Sequence, residues 1–423
     1  MRTTSDHRRR GLPATAAVLS MSLITAAASA ATFTPLHAFS GADGFNSQSP
    51  LISDKNGNLF GTTAAGGGSN RGVVFELSPP ATTGSAWTYA VIHSFGGKND
   101  GADVLGGLAL SSTGTLYGAS YQGGAYDQGM VYSLKPPKTA GGAWTESILY
   151  SFGASHYTGY WPTAGLLIGA DGTLYGTTSY GGANQAGLVF ALTKGAAGQP
   201  WNETVIYNFQ AYGSGDGYSP QAGLIADASG NLYGTTISGG ANGSGAVFEL
   251  SPVAGGGGFS ESVLYSFDAQ PSDGSLPHGP LLLGKGGVLF GTTSQGGAAG
   301  AGTVFELIQS PGGWTEKQLY SFANNNIDGV GPQGALAIDT LGRLFGVMPF
   351  GGTKTFGALF RLTPKTTGPW TEAILHNFTS GADGSNPYAL FMAPNGTFYG
   401  TTHAGGDPMD GKYGYGTVFQ YAP

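Results

Sequence analysis

Seven histidines, one misplaced tryptophan and a few loop carboxylates are the groups in this 423-residue chain whose types could do chemistry. His37, His93 and His376 stand where Tyr150, Tyr207, Tyr265 and Tyr320 stand in otherwise similar L-Y-S-F-like runs, which gives them a structural role. His156, His278 and His403 lie elsewhere, in or beside loops. A neutral imidazole there could serve as general base, general acid or metal ligand, or could simply be solvated.

The stretch ASHYTGYWP (154–162) carries His156, Tyr157, Tyr160 and Trp161, and Trp161 stands apart from the chain's five other tryptophans, which recur at a fixed place. An aromatic ring with a polar edge suits the face of a sugar; the other reading is that Trp161 plugs an interface within the fold. The stretch HAGGDPMDGKYGYG (403–416) adds Asp407, Asp410, Lys412 and Tyr413. Two carboxylates three residues apart could hold Ca²⁺ or act as an acid/base pair, but the order of a calcium loop is missing, so an exposed charged loop is expected and no metal or cofactor. Arg71, Lys354 and the pair Tyr126 and Asp127 mark other variable loop tips that could meet a polar or acidic ligand. Gln48, Gln221 and Gln333 recur at one offset, with Thr163, His278 and Tyr388 at equivalent places, and would form a ring of hydrogen-bonding groups if their segments line a channel. No G-x-S-x-G, H-E-x-x-H, phosphate loop or dinucleotide fingerprint occurs, so nucleophilic, zinc and nucleotide chemistries find no positive signal.

These residues stand out because the rest of the chain repeats. The unit is clearest from Asn231 to Pro252, NLYGTTISGGANGSGAVFELSP. The glycine after its first aromatic recurs at Gly61, Gly118, Gly176, Gly234, Gly291, Gly346 and Gly400, at spacings of 57, 58, 58, 57, 55 and 54 residues. Regular spacing of this length marks a repeat architecture. Gly (77) and Pro (23) are abundant but sit at fixed offsets between strand-like runs, as turn residues do. Turns such as KNGN at Lys55, ADGT at Ala170 and PNGT at Pro394 signal antiparallel hairpins. Each period holds four strands, apolar on both alternating faces, which fits sheets covered on each side. The fourth follows Trp87, Trp144, Trp201, Phe259, Trp314 or Trp370.

The seventh copy stops after its third strand, GTVFQYA (416–422), and the missing fourth strand stands at the other end as TFTPLHAF (32–39). Joining the two closes a ring. The expected fold is all-β: a seven-bladed β-propeller of four-stranded antiparallel blades, closed by an N-terminal strand that completes the last blade. In such a ring the Gly-Gly loops and the Asp-Gly loops (Asp43, Asp100, Asp216, Asp273, Asp328 and Asp383) open on one face.

The combination G-x-L-Y-G-T-T, Gly-Gly, G-x-V-F-x-L and W-x-E-x-x-L-Y-S-F resembles the tandem repeat known as GloVer, over residues 33–420. The resemblance implies export and a repetitive β architecture and no particular activity. Its layout is also similar, more loosely, to kelch blades.

Residues 1–30 are of another kind. Arg8, Arg9 and Arg10 precede an apolar run broken by Pro13, Thr15, Ser20 and Ser22, and Ala28-Ser29-Ala30 offers a cleavage site, so a signal peptide is expected, followed by one domain over 31–423. Without that segment the net charge falls from −7 to about −10, an acidic balance that argues against nucleic acid as a partner. There is no cysteine, and no other run is long and apolar enough to insert in a bilayer. We expect a monomer exported to the periplasm or the medium. Its expected role is non-catalytic binding of a carbohydrate or another extracellular polymer. The alternatives are a polysaccharide hydrolase or lyase using His156, His278 or His403 with Tyr160 and Asp407 or Asp410, and a structural or adhesive surface protein.

Overall fold

The computed structural model describes residues 31–406 and 414–423 apart from Thr83, Ala140 and His156. The predicted signal peptide (1–30) and the tip of the seventh Gly-Gly loop therefore lie outside the described residues.

Among these residues seven four-stranded antiparallel sheets form the predicted propeller. Blade 3 shows the plan: Leu167–Ile168 innermost, then Leu174–Thr178, Leu188–Thr193 and Asn202–Asn208. Blades 1, 2, 4, 5 and 6 repeat it over 52–94, 109–151, 225–266, 282–321 and 337–377. Blade 7 joins Ser385–Met392, Phe398–Ala404 and Thr417–Ala422 to Thr32–Ala38, whose residues pair in order from Thr32 with Ala422 to Ala38 with Thr417. The ring is closed by the strand from the start of the chain, as the split repeat predicts.

The recurring motif is explained by contacts between strands. A Cβ at Gly61 would lie 2.5 Å from Phe75 Cζ, and one at Gly176 would lie 2.5 Å from Phe190 Cζ, so the third-strand ring needs a bare backbone under it. In blades 1, 3, 4 and 7 the first threonine of Gly-Thr-Thr ties the blade to the next one's inner segment: Thr62 Oγ1 donates to the Gly106 carbonyl at 3.1 Å, and Thr235 Oγ1 to that of Gly279 at 3.2 Å. The tryptophan before the fourth strand packs back onto the previous blade, as Trp144 does on Phe60 (5.9 Å between rings) and Trp201 on Tyr117 (6.1 Å).

Seven apolar clusters fill the ring, and each joins residues of two adjacent blades. The core is thus a set of seams between sheets. The second and third strands are buried on both faces, as expected. The fourth strands are not: Thr145–Ser151 has only exposed and half-buried positions because it is the outer edge, with no neighbour beyond it. A one-residue bulge interrupts every pairing of third and fourth strands, for example between Val189 and Phe190 opposite Ile206. It places two consecutive side chains, such as Ile206 and Tyr207, in the same seam.

Candidate functional site

The seven inner segments surround a cavity of about 470 Å³ on the ring axis. Gln48, Thr163, Gln221, His278, Gln333 and Tyr388 line it, as their common offset predicts, with Leu105 at the seventh place. Among the described residues no lysine, arginine, aspartate or glutamate lines it. Burial pushes the His278 imidazole below its ordinary range, so it is neutral at physiological pH, and burial raises the Tyr388 phenol, which stays protonated. His403, also held neutral by burial, lies at the end of the second strand of blade 7; its Nδ1 lies 3.3 Å from Gln48 Nε2 and its ring 5.9 Å from that of Tyr388. Thr163 Oγ1 and Ser179 Oγ are 3.1 Å apart on the blade 3 side. The mouth therefore offers uncharged donors and acceptors around an apolar floor.

The residues just outward of Thr163 and Ser179 are aromatic. Trp161 is stacked on Tyr121 (5.4 Å, 29°) and meets Tyr160 and Tyr180 edge-on at 5.2 and 5.3 Å. Tyr180 in turn touches Tyr218, and Tyr218 touches Tyr212. Short ribbons hold them, Gly159–Tyr160 paired with Tyr180–Gly181 and Gly217–Tyr218 paired with Ser238–Gly239, which confirms that the two kinds of loop share one face. The result is a half-exposed aromatic arc across blades 2, 3 and 4. Trp161 is thus neither fully buried nor free in solvent.

The backbone of Trp161 is left-handed (φ 62°), and so is every equivalent residue: Asn46, Asp103, Ser219, Leu276, Gly331 and Asn386. Each donates its N–H to a carbonyl of the preceding blade, as Trp161 does to Gln128 at 2.9 Å. The fold imposes this conformation, and asparagine or glycine meets it with least strain. Tryptophan at that place is a departure that backbone stability does not favour.

The other predicted residues are placed as follows. His37, His93 and His376 are structural, as expected: each points Nε2 at the aspartate of the Asp-Gly loop, His37 to Asp43 at 3.1 Å, His93 to Asp100 at 3.4 Å and His376 to Asp383 at 2.9 Å. Where Tyr207, Tyr265 or Tyr320 takes their place the bond is the same, from the Tyr207 hydroxyl to Asp216 at 2.7 Å and from that of Tyr265 to Asp273 at 3.0 Å. The Asp-Gly aspartates thus brace loops. Asp127 also braces its own loop, accepting from the Gly123 N–H at 3.1 Å. Tyr126, Tyr157, Lys354 and Arg71 are exposed at separate tips and do not line the axial cavity. The Tyr160 hydroxyl donates to Gln185 Oε1 at 3.0 Å. Neither His278 nor His403 is hydrogen-bonded to a described carboxylate, whereas all three outer-strand histidines are. His156, Asp407, Asp410 and Tyr413 lie outside the described residues.

Sequence reasoning missed Tyr121, Tyr180, Tyr212 and Tyr218 as partners of Trp161, and Ser179 beside the ring. The only signal was the presence of tyrosine next to Gly-Gly or Asp-Gly in adjacent copies.

Fold and mouth together define a repeat propeller whose axial opening is lined, among the described residues, by uncharged side chains. Residues 82–261 and 197–419 match the Gloeobacter/Verrucomicrobia repeat, and the chain belongs to that family. No curated protein matches it. Among solved structures it is similar to the extracellular domain of BT4673 of B. thetaiotaomicron, a protein assigned as a one component system, at 14% identity and a TM-score of 0.53; the match covers 92% of this chain and 40% of that one. It is also similar to a protein of Bacteroides uniformis assigned as a 6-phosphogluconolactonase, at 15% identity and a TM-score of 0.52, covering 84% of this chain and 96% of that one. Likeness at that level concerns the fold alone. Among the described residues no helix is long and apolar enough to cross a membrane.

Proposed function

We propose that the chain is an exported binding protein whose propeller mouth takes an uncharged polysaccharide. The observation that carries this reading is the pairing of a charge-free hydrogen-bonding ring with an aromatic arc on the same face. Sugar rings present apolar faces to aromatic planes and hydroxyls to amides and imidazoles, whereas a phosphate or carboxylate ligand would call for cations, and none is among the described residues of the lining. Gln221, Gln333 and His278 would take the hydroxyls of a residue entering the axis, with Trp161 and its tyrosines supporting the chain outside. Export follows from the signal-like first thirty residues and from the family resemblance.

The test is a titration of neutral oligosaccharides of several linkages, followed by calorimetry, with Trp161→Asn as the probe. Binding that Trp161→Asn weakens about 2- to 12-fold, the range of a lost aromatic contact of about 0.5–1.5 kcal/mol, is the expected result. No binding by the intact chain, or binding untouched by this variant and by Gln333→Ala, would overturn the reading. A second reading, a polysaccharide-degrading enzyme, draws on one observation: His278 faces the cavity as a neutral base. Release of new sugar ends by the intact chain, lost in His278→Gln, would establish it.

A further inference from the structure

Six of the seven seams carry, on their outer side, a three-residue contact: the tyrosine or histidine of one blade's fourth strand, the aspartate of its Asp-Gly loop, and a residue of the next blade's fourth strand; the seam after Tyr150 lacks the aspartate. Two versions recur. Tyr207 and Tyr320 stand beside glutamates of the next blade, with hydroxyls 3.4 Å from Glu261 and 3.5 Å from Glu372. His37 and His376 instead stack flat on aromatic rings, Tyr89 and Phe33, each at 3.8 Å. The seam between blades 1 and 2 mixes the two, setting the histidine of one version against the glutamate of the other. His93 Nε2 lies 3.4 Å from Asp100 Oδ1 and 4.0 Å from Glu146 Oε1, and the three donor atoms all fall within 4.8 Å of one another. Among the described residues this is the one group of three histidine or carboxylate donors so close together.

We propose that His93, Asp100 and Glu146 form a site for a divalent transition-metal ion, with Zn²⁺ as the first candidate, that clamps blade 1 to blade 2. Donors around a tetrahedral zinc at 2.0–2.1 Å stand about 3.3 Å apart, so the His93–Asp100 spacing already suits the ion and a small rotation of Glu146 completes the set. Glu146 Oε1 is buried without a hydrogen-bond partner, as is the same oxygen of Glu203, Glu261 and Glu372 at other seams, and what sets this seam apart is the histidine nitrogen 4.0 Å from it. Asp100 is fixed by the backbone N–H groups of Gly96 (2.6 Å) and Gly101 (2.8 Å), the kind of outer support that orients metal-binding carboxylates. One imidazole and two carboxylates suit Zn²⁺ and its neighbours better than the all-oxygen preference of Ca²⁺. All three side chains are half-buried, which leaves an entry path and a fourth position for water.

The fold itself supplies the control variants. His93→Tyr rebuilds the tyrosine and glutamate version found at other seams, and Glu146→Tyr rebuilds the histidine and tyrosine version of His37 and Tyr89, so both should fold. The full chain, stripped with chelator, is titrated with ZnCl₂ by calorimetry while melting is followed in parallel. Expected are one saturable equivalent per chain, a melting temperature that rises with it, and a loss of more than about 100-fold in affinity in both variants. The metal-free variants should melt close to the metal-free parent. The absence of one-to-one binding in the parent, or parent-like zinc affinity in both variants, would overturn the site. Neither result depends on whether the mouth binds sugar.

Discussion

Trp161 illustrates how one side chain can be weighed against its backbone. Its left-handed conformation is shared by six equivalent residues, two of them asparagine and one glycine. Trp161→Asn should therefore change stability by no more than about 1 kcal/mol, since the relief of a strained backbone offsets part of the lost ring contacts. Chemical denaturation measures this and separates a binding defect from an unfolded protein. Gly176 gives the opposite case. A methyl there would meet Phe190 at 2.5 Å and Leu166 at 2.9 Å, so Gly176→Ala is expected to cost roughly 1–3 kcal/mol, visible as a lower denaturant midpoint. The glycine was legible from its period because every copy makes the same close contact. The left-handed position was not, since Asn46, Asp103, Trp161, Ser219, Leu276, Gly331 and Asn386 share no residue type and only the backbone unites them.

At the scale of the strand pair, the seams predict how stability responds to pH. Burial, reinforced by the neighbouring aspartate, pushes Glu261 and Glu372 up to about 7 and Glu316 up to about 8. The groups facing them are Asp216 and Tyr207 for Glu261, Asp273 and Glu306 for Glu316, and Asp328 and Tyr320 for Glu372. In the unfolded chain these glutamates lose their protons near about 4.3. Between that value and 8 these glutamates hold more protons in the folded ring than in the unfolded chain, so their contribution to stability falls as pH rises through this window, while the neutral His278 and His403 act the other way below about 6.5. Melting temperatures taken above the histidine range, toward the alkaline side, should decline, and Glu316→Gln should flatten the decline; a profile rising there would contradict the assignment. The strands themselves were readable from turns and aromatic spacing. Their seams were not, because the Tyr–Asp–Glu contact joins residues of two copies and depends on a bulge that repeats identically in every period. The aromatic arc was hidden for a related reason: Tyr121, Trp161, Tyr180 and Tyr218 occupy different offsets, and only curvature brings them together.

For the whole molecule the decisive feature is the strand Thr32–Ala38, which was legible because the seventh copy is split between the ends of the chain. Its Phe33 packs on His376, Phe378 and Phe419, so it seals the seam between blades 6 and 7 as well as completing a sheet. A chain lacking residues 31–39 should leave Thr417–Ala422 as an open edge, with a lower melting temperature and self-association on size exclusion. A peptide of residues 32–39 supplied in trans should reverse both effects, and a truncated chain that melts and elutes like the parent would refute this account of closure. The same strand also sets a clock. It leaves the ribosome long before its partner, since Thr417–Ala422 lies at the far end of the sequence. Six sheets can assemble from neighbouring residues while the chain is still growing, but the final pairing spans almost the full length and must come last and slowly. A nascent chain halted anywhere short of that partner presents a bare, adhesive edge to its neighbours, so the passage from growing chain to finished protein is its most vulnerable interval.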